Sequence, residues 1–192
     1  MAMKKMARGG RGLVGWAKTI GSHMEKYDKG NFYAAFLRKL TEEGVYFKGY
    51  EPSANNPETK AWARRERPRI KECFYNAQMF VMDHPGSQYY EGLCFTGVHP
   101  VDHAWVVYDG KVFDFTLEAS KNYDAETPEY LGLPIPEKFF CRMIGETGYA
   151  DSVAPLYFAK PRKAKKRPGK KAAAPQQAKG KRRHGENEVH PD

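Results

Sequence analysis

Apolar side chains recur at Phe32, Phe36 and Leu40, with Tyr33 and Leu37 beside them, and this spacing predicts an amphipathic helix over about 29–43. Asp28 or Asn31 can cap its start and Gly44 can close it. Asn56-Pro57-Glu58 opens a second, shorter helix with proline at its first position, and Pro68 limits it. A third helix is expected over 70–83, with Ile70, Phe74, Ala77 and Val81 as its buried stripe and His84-Pro85-Gly86 as its stop. The period then changes. Residues 88–95, 101–108 and 111–117 read as strands rich in aromatic and branched side chains. Asp109-Gly110 alone separates the last two, which predicts a tight hairpin. Beyond Leu117 the pattern weakens, with 138–144 open between strand and helix. Helices followed by antiparallel strands indicate an α+β domain.

Charge divides the chain into three parts. Residues 159–192 hold 12 Lys/Arg and 3 Asp/Glu, and residues 1–22 hold 5 Lys/Arg and no acid. The remainder, 23–158, carries 15 Lys/Arg against 20 Asp/Glu, so an acidic body lies between two basic ends. Residues 1–22 are rich in Gly, Lys and Arg and are expected to form a flexible arm. Residues 159–192 contain no aromatic residue and are expected to be a disordered tail, because they cannot bury enough apolar surface to offset ordering entropy. Lys163, Lys165, Lys166 and Arg167 form one dense cluster, and Lys179, Lys181, Arg182 and Arg183 another. Both suit the phosphates of a nucleic acid or another polyanion, without sequence readout because no aromatic side chain interleaves them.

No apolar run approaches the roughly 20 residues of a membrane span. Leu13-Val14-Gly15-Trp16-Ala17 is too short and Gly-broken for a secretory core. Cys73, Cys94 and Cys141 are odd in number and widely spaced, which argues against a disulfide scaffold and a structural zinc site. A reducing, cytoplasmic setting and no membrane partner are the expectations, and the thiols are free for chemistry.

Three residues stand out for such chemistry. Cys73 falls in the first turn or so of the third predicted helix, where backbone N–H groups favour a thiolate. In the tight hairpin Tyr108 pairs with Lys111, so His103 faces Thr116 and Trp105 faces Asp114. His103 and Asp114 then become diagonal neighbours on one face, roughly 7–8 Å apart along the backbone. A one-residue slip would separate them. A thiol, an imidazole and an orienting carboxylate form the set that acyl transfer uses. It would act on an amide- or ester-bearing substrate and call for no cofactor. The opposite hairpin face, with Ala104, Val106, Phe113 and Phe115, is expected to pack on the helices.

His103-Ala104-Trp105 followed by Gly110-Lys111-Val112-Phe113-Asp114-Phe115-Thr116 resembles the signature of transglutaminase-like proteins, a circularly related branch of the papain-like cysteine fold. With the Cys-Phe-x-Asn-Ala helix start and the Tyr-x-Glu-Gly strand, residues 70–131 also look like small proteins common in bacteriophage genomes. The resemblance implies a papain/transglutaminase-like domain over 23–158 with Cys73, His103 and Asp114 as its triad. A phage gene would place the protein in host cytoplasm. Two other readings use the same residues. The fold could be a non-enzymatic, nucleic-acid- or particle-associated binding module served by the basic tail, or the three side chains could hold a metal. Asn76, one turn beyond Cys73, could touch the site, although a helix-face amide is usually just solvated.

Overall fold

A computed structural model describes residues 8–159, with side chains from residue 12 onward. The eight basic residues assigned to polyanion binding, Lys163 to Arg183, and nearly all of the predicted tail lie outside the described residues.

The chain runs α1 (Arg8–Tyr27), α2 (Phe32–Glu43), β1 (Val45–Lys48), a short 3-10 turn (Ser53–Asn55), α3 (Pro57–Glu66), α4 (Cys73–Asp83), β2 (Gln88–Phe95), β3 (Val101–Tyr108), β4 (Lys111–Phe113), α5 (Phe115–Ser120), β5 (Glu129–Ile135), α6 (Glu137–Thr147) and α7 (Ala154–Phe158). The five strands form one antiparallel sheet in the order β1-β5-β2-β3-β4. The architecture is α+β. No helix among the described residues is long and apolar enough to cross a membrane.

Local chemistry sets several boundaries. Asn31 caps α2 by accepting from the Ala34 N–H, and Gly44 closes it on the Leu40 carbonyl. Asn56 caps α3 ahead of Pro57 and accepts from Glu58 and Thr59. Asp109 and Gly110 both have positive φ, 51° and 72°, which the tight hairpin requires. The register follows: Val106 pairs with Phe113, Val107 with Val112 and Tyr108 with Lys111.

Three expectations are corrected. Residues 8–22 are not a flexible arm but most of α1. Glycine lowers the helix propensity of this segment, but packing overrides it. Leu13 and Ala17 are buried against α2 and the sheet. Gly21 allows the close approach, since a Cβ there would sit 3.2 Å from the Leu37 Cβ. The helix expected from residue 70 begins at Cys73, because Lys71 is left-handed at φ 66°. Ile70, placed in the buried stripe, is 56% exposed. Lastly, the strand expected over 111–117 ends at Phe113. Asp114 caps α5, and its side chain competes with ladder pairing by offering the next N–H groups an acceptor.

The main core lies between the sheet and the helices. It joins Phe36, Leu37 and Leu40 of α2, Ala77, Phe80 and Val81 of α4, and Ala104, Val106, Phe113 and Phe115 of the hairpin region. That last group packs on the helices as its apolarity requires. A second cluster, of Cys94, Trp105, Val112 and Tyr130, lies apart from it, and Phe47 and Tyr90 pack on it. Trp105 fits there because residue 132 is glycine: a Cβ would come within 2.3 Å of its indole. Pro134 is tolerated in β5 because β1 pairs only with residues 129–132, leaving no further strand partner at 134.

Candidate active site

Cys73 is the first residue of α4, and Glu72 before it makes no side-chain cap. The leading N–H groups of the helix are therefore not taken by a capping side chain. The segment that turns into this helix is held by Asn76. Its Oδ1 accepts from the Arg69 N–H at 3.3 Å, and its Nδ2 donates to the Arg69 carbonyl at 2.7 Å and to Thr116 Oγ1 at 2.8 Å. Asn76 is buried rather than solvated. One amide thus ties the approach to Cys73 to the helix that Asp114 caps.

His103 lies on β3 opposite Gly92 of β2. Because β4 pairs only with residues 106–108, the first half of β3 has no β4 neighbour, and α4 packs against this strand. The ring's Nε2 lies 2.6 Å from Asp114 Oδ2. Cys73 lies near enough to the ring to help raise the His103 pKa, and Nδ1 is the ring nitrogen that Asp114 leaves open. The three residues that sequence spacing singled out are brought together, with His103 in the middle. The means differs from expectation. Asp114 reaches the imidazole from a helix cap rather than from a diagonal position on a paired strand.

Every lone-pair direction of Asp114 is used. Oδ1 accepts from the Thr116 N–H at 3.1 Å and the Leu117 N–H at 2.9 Å. Oδ2 accepts from His103 and from the Tyr130 hydroxyl at 2.9 Å. The site is almost closed to water: Cys73, His103 and Asp114 are 7%, 6% and 1% exposed. Burial alone would disfavour a charged imidazole. The Asp114 carboxylate and the contact with Cys73 outweigh it and hold the His103 pKa up to about 10. Burial, then Asp114, pushes the Tyr130 phenol upward, so it stays a proton donor. Burial likewise pushes up Cys94, the neighbouring thiol, with Asp114 and Cys73 adding to it, so Cys94 stays neutral.

A second buried network adjoins the first. Glu91, 2% exposed, accepts from the Tyr89 hydroxyl at 2.8 Å, Ser152 Oγ at 2.7 Å, and the Val153 and Ala154 N–H groups at 2.9 and 3.0 Å. Burial still raises its carboxyl pKa despite these donors. Gln78 donates to the Tyr89 hydroxyl at 3.0 Å and to the Asp151 carbonyl at 2.9 Å. Residues 151–154 are thereby fixed beside α4.

Sequence reasoning missed Tyr130 and this network, and it placed Thr116 on a strand opposite His103 rather than in α5 beside Asn76. Tyr130 sits in a run whose Gly and Pro obscured the strand, and no spacing rule links it to Asp114. Glu91 did carry a signal, a carboxylate inside an otherwise apolar strand. Among the described residues, no group of three or more His, Cys, Asp and Glu side chains is arranged to hold a metal ion, so the metal reading of Cys73, His103 and Asp114 finds no ligand cluster. Comparisons with family models, with curated proteins and with solved structures each give no match.

Proposed function

We propose that this protein is a cysteine-dependent amide or ester hydrolase or acyltransferase of the papain/transglutaminase-like kind. The observation that supports the reading is the buried His103 ring bonded through Nε2 to Asp114 Oδ2, with Cys73 near enough to help raise its pKa. The thiol proton of Cys73 rests on His103, whose pKa is held up to about 10, and the sulfur adds to the substrate carbonyl carbon. The resulting oxyanion faces N–H groups at the start of α4, among them that of Cys73. As the tetrahedral species collapses, the carbon–nitrogen or carbon–oxygen bond breaks. The His103 proton goes to the departing amine or alcohol. Water or an acceptor amine, deprotonated by His103, then attacks the thioester and releases Cys73. Asp114 holds one orientation of the ring and offsets its positive charge.

The His-Ala-Trp hairpin and its resemblance to transglutaminase-like proteins support the same reading. The basic clusters Lys163–Arg167 and Lys179–Arg183 suit a tether to nucleic acid or another polyanion. If about six of these residues engage phosphates, affinity falls about a thousandfold between 50 and 200 mM salt.

Labelling with iodoacetamide, quantified on the Cys73 peptide, tests the chemistry. Wild type should label at neutral pH at least about tenfold faster than His103→Ala, in line with what a positioned base contributes. Equal rates would overturn the assignment. The competing view is a binding module whose tail does the work. It predicts that Cys73→Ala leaves every measurable function intact while removal of 159–192 abolishes it.

A further inference from the structure

Asn76 follows Cys73 by three residues, and its own N–H closes the first turn of α4 on the Glu72 carbonyl at 2.9 Å. Its side chain holds the segment that delivers the chain to Cys73. Oδ1 accepts from the Arg69 N–H and Nδ2 donates to the Arg69 carbonyl, so one amide takes both backbone groups of one residue. This segment needs holding. Arg67 and Lys71 are both left-handed, at φ 51° and 66°, a conformation that residues with a Cβ rarely adopt. The ion pair of Arg69 with Glu72 is exposed and contributes little.

The second Nδ2 proton reaches across to α5, at 2.8 Å from Thr116 Oγ1. Thr116 in turn gives its backbone N–H to Asp114 Oδ1 at 3.1 Å, and the other oxygen of Asp114 holds the imidazole. The contacts run without a gap from Arg69 through Asn76, Thr116 and Asp114 to His103. Among the described residues, no other hydrogen bond joins residues 69–76 to α5. Asn76 and Thr116 are 2% and 7% exposed. A buried amide costs stability unless its donors and acceptor are met, and here both Nδ2 protons and Oδ1 are used. An apolar pair of the same shape would serve packing as well, so packing alone does not call for this bond.

We infer that Asn76 and Thr116 are positioning residues of the proposed reaction, and that the bond between them sets the spacing of the Cys73 sulfur from the His103 ring. The inference rests on Cys73 being the nucleophile. Asp114 fixes the imidazole from behind, whereas Cys73 has no capping side chain before it and takes its place from the turn that Asn76 holds. A thiolate that drifts from the imidazolium loses attraction that keeps it charged, because the interaction of two buried charges weakens with separation.

The test reads the pH dependence of iodoacetamide labelling at the Cys73 peptide, alongside thermal unfolding, on the full chain. Thr116→Val removes the hydroxyl that Asn76 bonds and leaves the backbone N–H that holds Asp114. The midpoint of its acid limb should rise by at least about half a pH unit, toward the value of an ordinary cysteine. Thr116→Ser keeps the hydroxyl and should restore the wild-type midpoint. Asn76→Leu should raise the midpoint at least as far as Thr116→Val. The double variant should go no further than Asn76→Leu alone, because both substitutions remove one shared bond. If Asn76→Leu fails to fold, the two Thr116 variants carry the test. A Thr116→Val midpoint equal to that of wild type overturns the inference, even if the variant melts earlier. A Thr116→Ser midpoint as high as that of Thr116→Val, or additive shifts in the double variant, also overturn it. If wild type still labels faster than His103→Ala in those cases, the catalytic reading stands and this inference alone fails. If it labels no faster, both fail.

Discussion

Tyr130 and His103 share one oxygen of Asp114, with the phenol at 2.9 Å and the ring nitrogen at 2.6 Å from Oδ2. The two donors arrive from different strands, β5 and β3, which do not pair with each other. The phenol therefore draws on the charge that orients the imidazole. Removing it in Tyr130→Phe deletes one hydrogen bond to a buried carboxylate. We expect about 1.5–3 kcal/mol of lost stability by urea unfolding. The same change leaves more of the Asp114 charge to His103, so the alkaline limb of Cys73 labelling should move to higher pH. A variant that is destabilised with an unmoved limb would show that Tyr130 only packs.

Asp114 performs two tasks that substitution separates. Its Oδ1 caps α5, and its Oδ2 partners the imidazole. Asparagine keeps an oxygen for the Thr116 and Leu117 N–H groups but removes the charge. Asp114→Asn should therefore lose the enhanced reactivity of Cys73 as fully as Asp114→Ala does. Asp114→Ala should be the less stable of the two by about 1 kcal/mol, the value of a capping side chain. Thermal unfolding and iodoacetamide rates on both variants check the split.

Glu91 should be intolerant of its own amide. Four donors converge on its two oxygens: Tyr89, Ser152 and the Val153 and Ala154 N–H groups. Glu91→Gln would turn one acceptor into a buried donor facing other donors. A loss of about 1–3 kcal/mol is expected. Hydrogen exchange should show the amides of Val153 and Ala154 losing protection ahead of those in β2. Uniform loss across the sheet would mean that the network holds the whole domain rather than this segment.

Legibility in the sequence followed the range of the interactions concerned. The boundaries of α2 and α3 lie in residues that act on their own neighbours, Asn31, Gly44, Asn56 and Pro57. The hairpin lies in Asp109-Gly110 for the same reason. Cys73, His103 and Asp114 could be picked out because their residue types and the hairpin register are local properties. What escaped depends on distant partners. The glycines of α1 argue against a helix until Leu37 is known to lie across Gly21. The glycine and proline of β5 argue against a strand until Trp105 fills the space over Gly132 and β1 is seen to stop short of Pro134. Asp114 leaves the strand because its cap bonds win locally, yet a strand continued to 117 fits the alternation of side chains equally well.

The pH dependence of stability should carry the signature of His103. Its folded pKa is raised from 6.5 to about 10 by the Asp114 carboxylate and by Cys73, against the opposing effect of burial. A raised pKa means that the folded state holds its proton more tightly than the unfolded chain. The stabilisation is thus complete below about pH 6.5, where both states are protonated, and is lost as pH rises to about 10. Urea midpoints between pH 6 and pH 10 should fall more steeply for wild type than for His103→Gln, which cannot titrate. Comparing the two slopes cancels contributions from lysines, tyrosines and the other thiols that titrate in both proteins. Parallel slopes would mean that His103 is neutral in the folded protein, and Cys73 would then lack the cationic partner on which the proposed acyl chemistry depends.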